Sequence, residues 1–111
     1  MGMMSGVLDD LIDTHVIDAG DLARITGSTP RSVSRWAGAK AAPRREAEDR
    51  LLELKAGVDQ LRNVLRDEPA RLWLRSPNPE LDWKKPLELI ADGEYRRVIG
   101  AVLALAEGVT A

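Results

Sequence analysis

The strongest constraint on the fold is a series of apolar residues that recur in alternating steps of four and three near the middle of the chain. The series comprises Ala47, Leu51, Leu54, Val58, Leu61 and Leu65. These steps place the side chains on one face of an α-helix, whereas a half-buried strand requires alternate residues. The sequence therefore predicts a long amphipathic helix over 44–66. Its apolar seam has two alternative uses, packing against the rest of the chain or pairing with a second copy, and the pattern favours neither.

Shorter helices are predicted on both sides of this central helix by the same periodicity and by residues typical of helix ends. They cover 7–16, 19–26, 30–37, 67–75, 86–91 and 94–107. Asp18 and Thr29 are predicted N-caps. Gly27 and Gly108 are predicted to end the helices that precede them. The predicted fold class is all-α: a helical bundle with an N-terminal helix-turn-helix, a long central amphipathic helix and further helices after it.

Residue types required for several kinds of chemistry are missing from the sequence. It has no Cys, which excludes disulfides and thiolate metal sites, and His15 is its only His. Because no strand is followed by a Gly-rich loop, no phosphate site is predicted either. We therefore expect no catalytic residue, metal or cofactor. The chain begins with no basic segment and contains no long apolar run, so we expect a cytoplasmic protein without membrane association.

Charge is unevenly distributed along a chain whose net charge is −2 and whose pI is about 5.4. No acidic residue lies between Asp21 and Glu46, and that stretch contains six basic ones. They are Arg24, Arg31, Arg35, Lys40, Arg44 and Arg45. Affinity for DNA could arise only from this local cluster, because the chain as a whole is acidic.

The same stretch has the spacing of a helix-turn-helix. Ala23 is small enough for two helices to approach closely, Gly27 tolerates a positive φ in the turn, and Val33 with Trp36 would close a small core. The outward residues predicted to meet DNA are Arg31, Ser32, Ser34, Arg35 and Lys40. The spacing resembles that of Xre-type regulators, from which Ser28 departs because an apolar residue usually follows the Gly. Surface arginines are usually only solvated, so operator DNA remains an open alternative as a partner.

The last third of the chain, 67–111, is rich in aromatic residues and proline. It holds two of the three Trp, the only Tyr and four of the six Pro. Rigid turns that carry aromatic anchors are typical of partner recognition. The alternative is that Trp73 and Trp83 complete a core that has no Phe.

Three motifs in this third carry a resemblance to a known family. They read Trp73-Leu-Arg-Ser-Pro-Asn-Pro79, Lys85-Pro-Leu-Glu-Leu-Ile90 and Asp92-Gly-Glu-Tyr-Arg-Arg-Val98. In this order they resemble the Xre/MbcA/ParS-type antitoxins. The resemblance implies a helix-turn-helix over 1–43, a connecting or dimerisation helix over 44–66 and a toxin-binding domain over 67–111.

The resemblance also implies a function. Antitoxins of this type neutralise RES-domain toxins, which consume NAD, by blocking the active-site cleft, and their helix-turn-helix can repress the operon. It implies a homo-oligomer within a toxin–antitoxin complex. The residues expected to bind the toxin are Trp73, Pro77, Asn78, Trp83, Lys85, Asp92, Gly93, Glu94 and Arg97. Pro77 and Gly93 could instead serve only as turn residues. The alternative function is that of a DNA-binding repressor with no toxin partner.

Overall fold

The structure is a computed structural model that describes residues 3–110, with side chains over 4–108. Within that range the chain forms seven α-helices and one 3₁₀ turn, without strands. The helices are α1 (Met3–Asp13), α2 (Ala19–Thr26), α3 (Pro30–Ala37), α4 (Arg45–Arg62), α5 (Asp67–Arg75), α6 (Pro86–Ala91) and α7 (Tyr95–Thr110), with the 3₁₀ turn at Pro79–Leu81 between α5 and α6. The predicted all-α class is confirmed.

Helix α1 ends three residues earlier than its apolar pattern predicts. The Thr14 hydroxyl donates to the Leu11 carbonyl at 2.6 Å and accepts from the Val16 amide at 3.1 Å, so the side chain replaces the next helical bonds. His15 then turns the chain with φ 61°. Val16 is fully buried although it lies outside the helix. The apolar residue at position 16 therefore indicates a buried connection after Asp13 and not a continuation of the helix.

Two other helix ends also differ from the predicted ones. Helix α4 ends at Arg62, so Leu65, the last residue of the apolar series, lies in the turn that follows and is partly buried there. Helix α7 continues through Gly108 to Thr110, so the predicted stop at Gly108 is wrong. A glycine ends a helix efficiently when it adopts a positive φ, and among the described glycines only Gly27 and Gly93 do so.

The apolar seam of α4 packs within its own chain. Leu51, Leu54, Val58 and Leu61 are fully buried, in one core that includes Leu22 of α2 and Val98 of α7. Helix α4 contacts α1 and α2, which precede it in the chain, and α5, α6 and α7, which follow it. Of the two alternative uses of the seam, the structure shows intramolecular packing. One core thus joins all three predicted segments.

Two arginines of α5 hold the N-terminal helices, and we call this set of contacts the arginine clamp. Arg75 pairs with the carboxylate of Asp21 and donates to the Val16 carbonyl at 3.0 Å. Arg71 donates to the His15 carbonyl at 3.3 Å, and its Nη2 lies 3.7 Å from Asp18 Oδ2. Asp21 is only 6% exposed, so Arg75 compensates a buried charge. The clamp fixes the start of α2 relative to α5.

Asp18, as predicted, is the N-cap of α2. Its Oδ1 accepts a hydrogen bond from the Asp21 amide at 2.8 Å, and its own amide donates to Asp21 Oδ2 at 3.0 Å, a reciprocal capping box. The bond from the Asp21 amide, with the charges of Arg75 and Arg71, holds the pKa of Asp18 below its ordinary value of 3.8, although burial opposes this.

A pH dependence of stability follows for Asp18→Asn. Because the folded-state pKa is lowered, the stabilisation from Asp18 is fully present above the unfolded pKa of 3.8 and is lost as the pH falls through the lower folded value. Asn is also a good N-cap, so the variant keeps the cap and loses the titratable charge that Arg75 and Arg71 stabilise. We expect urea unfolding to show wild type losing its advantage over Asp18→Asn below about pH 4. Parallel stability curves down to about pH 2.5 would contradict this role.

Candidate functional site

A tight loop over 78–84, which we call the tryptophan loop, is organised by Asn78. The Asn78 side chain accepts from the Glu80 amide at 2.8 Å. Its backbone carbonyl accepts from the Leu81 amide at 2.9 Å and the Trp83 amide at 2.8 Å, and its amide donates to the Lys84 carbonyl at 3.1 Å. Four hydrogen bonds to one residue close the loop around the 3₁₀ turn Pro79–Leu81. Three of them use the Asn78 backbone, and the fourth, in which the side chain caps the 3₁₀ turn, accounts for an Asn in that position of the motif.

The tryptophan loop displays Trp83 to solvent. The side chain is 69% exposed, whereas the adjoining Leu81 is 1% exposed and anchors the loop in the core. Asp82 and Trp83 both have positive φ, 57° and 66°. A bulky residue in this region is a genuine outlier, and such strain concentrates at functional sites. The alternative in which Trp83 completes the core is therefore wrong.

Arg97 joins the tryptophan loop to α7. Its Nη2 lies 2.8 Å from Asp82 Oδ2, and its Nη1 lies 3.3 Å from Glu94 Oε1. One guanidinium thus bridges a loop carboxylate and a carboxylate just before α7. Glu94 and Arg97, both predicted to bind the toxin, are brought to the base of the loop that carries Trp83.

Trp73 has a different environment from Trp83. It is partly buried and packs against the core, as the alternative for this residue anticipated. With Asn78 and residues of α7 it lines a shallow groove beside the tryptophan loop, whose other lining residues are Glu80, Ala101, Ala104, Leu105 and Gly108. Trp73 therefore serves the fold and also contributes to an accessible surface.

Pro77 and Gly93 lie just after helices α5 and α6, and the backbone conformation at Gly93 favours glycine. Pro77 follows Ser76, whose extended φ and ψ of −107° and 143° end α5. Gly93 has φ 82° between α6 and α7, and a Cβ there would lie 3.3 Å from Arg50 Nη2. Gly93 is thus a turn residue, as the alternative for it anticipated, and a contact of Pro77 or Gly93 with the toxin stays a prediction.

Lys85 and Asp92 are the residues that flank α6, and Lys85 directly follows the tryptophan loop. Lys85 is the N-cap of that helix, and its amide donates to Glu88 Oε1 at 3.2 Å. Both side chains are exposed, and they line a groove against α2 together with Arg24 and Arg75. Most of the predicted binding residues thus fall into two groups, one around the loop and one beside α2.

Several exposed residues of this half were not singled out from the sequence. Leu72 is 58% exposed on α5 and Leu103 is 54% exposed on α7. A helical projection could have found them: buried Val98, Ala101 and Val102 define the inner face of α7, and Leu103 lies roughly 100° further round. The Asp21–Arg75 pair was also missed, because no local pattern connects residues so distant in sequence.

The helix-turn-helix forms as predicted at its core. Gly27 turns the chain with φ 69°, Thr29 caps α3 by accepting from the Ser32 amide at 3.1 Å, and Val33 and Trp36 are buried. Ser32 is only partly exposed and its hydroxyl accepts from Thr29 Oγ1 at 3.2 Å. Ser32 therefore contributes to the cap in addition to any outward role.

The other predicted DNA-contacting residues are all exposed, three of them on one face of α3 and Lys40 after its end. They are Arg31, Ser34, Arg35 and Lys40. Ala39, with φ 58°, turns the chain after α3, and Arg44 and Arg45 at the start of α4 are also exposed. The cationic character of this stretch is thus available to a partner and not used in the core.

The described residues 3–110 form neither a metal site nor a membrane span. No group of three or more His, Asp or Glu side chains in that range has an arrangement that could hold a metal ion. None of the helices described there is both long enough and apolar enough to cross a membrane.

Comparison with known proteins places these features in a family. Residues 60–108 match the model of the antitoxin Xre/MbcA/ParS C-terminal toxin-binding domain. The mycobacterial cidal antitoxins MbcA of Mycobacterium bovis and Mycobacterium tuberculosis are 41% identical over 106 residues, 96% of this chain and 90% of theirs. The fold matches a chain in the crystal structure of the M. tuberculosis MbcT–MbcA toxin–antitoxin complex with a TM-score of 0.86, 35% identity and 98% coverage of both chains. With this likeness extending over nearly its whole length, the chain belongs to the Xre/MbcA/ParS family of antitoxins.

Proposed function

We propose that this chain neutralises a RES-domain, NAD-consuming toxin by binding it and covering its active-site cleft. The observation that carries the proposal is Trp83, which is 69% exposed on a strained loop inside the region that matches the toxin-binding model. The relative of known structure forms a toxin–antitoxin complex, which supports a toxin as the partner here. The RES-domain class and its NAD chemistry come from the family resemblance.

The free energy of the tryptophan loop is lower when a partner buries Trp83 than when the indole stays in water. An indole left in water forgoes the stabilisation that burial of apolar area provides, about 25 cal/mol per Å². A positive φ at Trp83 adds a backbone cost of about 1 kcal/mol or more. Tryptophans in well-packed pockets dominate many interfaces, so a partner that buries this side chain offsets both costs.

The proposal assigns this chain a binding role and leaves catalysis to the partner. The toxin-binding surface lies in the segment over 67–111, the helix over 44–66 connects it to the rest, and 1–43 forms the helix-turn-helix. The complex would be cytoplasmic and would contain more than one copy of this chain. Contact at the tryptophan loop would keep NAD out of the toxin's cleft by occupying it.

Co-expression with the product of the adjacent reading frame tests the proposal. We expect the two proteins to co-elute on size exclusion and the purified toxin to consume NAD only without this chain. A toxin that consumes NAD equally fast with an excess of this chain would overturn the proposal. A chain that neither binds nor protects, but shifts operator DNA, would support the repressor alternative.

A second function, DNA binding, is favoured by the exposed basic surface of the helix-turn-helix. Arg31 and Arg35 lie one helical turn apart on α3, within a stretch free of acidic residues between Asp21 and Glu46. We propose that this surface contacts operator DNA, and that the antitoxin thereby represses its own operon. Two half-sites would be needed for useful affinity, because one chain offers few phosphate contacts.

We expect Arg31→Gln and Arg35→Gln each to weaken binding to the DNA upstream of the reading frame. Each arginine that contacts a phosphate should lower the slope of log affinity against log salt by about 1 when removed. Fluorescence anisotropy over a salt series measures this slope. Arg66→Gln is the matched control, since Arg66 is exposed in the turn between α4 and α5. Equal slopes for all four proteins would contradict a DNA-binding role for α3.

A further inference from the structure

Two kinds of polar contact hold the tryptophan loop: hydrogen bonds within the loop itself, and an ion pair from the loop to helix α7. The internal hydrogen bonds, four made by Asn78 and one from the Lys84 amide to the Leu81 carbonyl at 3.0 Å, close the loop locally. They do not connect the loop to another helix. The side-chain ion pair from Asp82 to Arg97, at 2.8 Å, is the polar contact that does so.

We propose that the Asp82–Arg97 ion pair is a positioning device that sets Trp83 in its binding orientation before the toxin arrives. The inference rests on the proposed function and deepens it. Asp82 directly precedes Trp83, and both have positive φ, so a constraint on Asp82 limits the direction in which the indole projects. Arg97 is itself held by Glu94 at 3.3 Å, which restricts the guanidinium to the side facing the loop.

Because the Asp82–Arg97 pair is exposed to solvent, its role is better explained by the positioning of Trp83 than by a contribution to the stability of the fold. The side chains of Arg97 and Asp82 are 36% and 84% exposed. Ion pairs this exposed contribute little to folding, because solvent screens them. Ordering a loop beforehand, however, lowers the entropic cost of association, and this effect appears in affinity without any new contact. Arg97 and Asp82 therefore act on the toxin through Trp83.

The first arm of the test uses the chain alone. Asp82→Asn removes the charge but keeps a residue that tolerates positive φ, so the backbone preference is retained. We expect ¹⁵N relaxation to give residues 82–84 of the wild type a backbone order parameter S² near about 0.85, the value of a rigid backbone. The order parameters should be lower in Asp82→Asn and Arg97→Met. The urea midpoint should stay unchanged. A loop that remains equally ordered in both variants would overturn the proposal.

The second arm is a double-mutant cycle in binding to the toxin expressed from the adjacent reading frame. We expect Asp82→Asn and Arg97→Met each to weaken binding on the order of tenfold, and the double variant to be no weaker than the worse single one. Arg96→Met, at an exposed neighbouring arginine of α7, is the matched control. Additive losses would mean two independent toxin contacts and would overturn positioning. If the wild-type chain fails to bind the toxin, the proposed function fails, while the relaxation result still decides whether the pair orders the loop.

Discussion

Trp83→Ala is expected to weaken toxin binding by about 30-fold or more while leaving the free energy of unfolding nearly unchanged. The binding loss corresponds to about 2 kcal/mol, the lower bound for a tryptophan hot spot buried at an interface. The stability is spared because the side chain is 69% exposed and contributes little to the core. Isothermal titration calorimetry with the toxin and urea unfolding of the chain alone measure the two quantities.

Two companion variants make the Trp83→Ala result specific. Leu52→Ala truncates another exposed apolar side chain, 42% exposed on α4 and outside the matched region 60–108, and should bind as wild type does. Trp83→Gly should bind as weakly as Trp83→Ala yet be more stable, because glycine adopts φ 66° without strain. If Trp83→Ala bound within threefold of wild type, the tryptophan loop would not be the main toxin contact.

Arg75→Met is expected to lower the free energy of unfolding by about 3 kcal/mol, a large part of the marginal stability of a domain of this size. The methionine keeps the packing of the aliphatic stem but removes the guanidinium. Asp21, 6% exposed, is then a buried carboxylate with its ion-pair partner gone, and the Val16 carbonyl loses its donor. Urea unfolding followed by far-ultraviolet circular dichroism measures the loss.

A second substitution separates the charge effect from the packing effect. Asp21→Asn removes the buried charge, so the double variant with Arg75→Met should recover a substantial part of the lost stability. Arg71→Met is the control: its side chain is 37% exposed and 3.7 Å from Asp18, and its removal should cost less than about 1 kcal/mol. Equal losses for Arg71→Met and Arg75→Met would show that burial of Asp21 does not govern this contact.

Local chemistry accounts for what the sequence predicted well. Asp18, Gly27 and Thr29 act within a few residues of themselves, so the caps and the turn of the helix-turn-helix could be read directly. The family resemblance was carried by three short motifs and was confirmed by the comparisons. The predicted ends of α1 and α4 were wrong because an apolar pattern reports burial, and buried residues such as Val16 also occur outside helices. The predicted end of α7 was wrong because Gly108 does not adopt the positive φ that ends a helix.

The candidate site was only partly predictable, because its geometry depends on residues distant from one another. Nothing in the motif around Asp92 indicates that Arg97 reaches back to Asp82, fifteen positions earlier. The pairing of Arg75 with Asp21 spans 54 positions and was equally hidden. Proximity in three dimensions places Trp73, Asn78, Trp83, Glu94 and Arg97 at or beside the tryptophan loop and Lys85 with Asp92 beside α2, and Pro77 and Gly93 belong to neither group. Whether each of them touches the toxin stays a prediction.

The shared core has a consequence for how such chains can diversify. Helix α4 packs against α2 with part of its seam and against α7 with the rest, and the arginine clamp matches α5 to Asp21. In a chimera that joins the first half of this chain to the second half of a distant relative, the apolar surfaces and ion pairs of the two halves would not be complementary. New toxin specificity is therefore reached more readily by changing the exposed residues of the tryptophan loop, with Leu81 kept in the core, than by exchanging halves. Exposed positions of the loop, such as Trp83, can be substituted without changing the packing of the core.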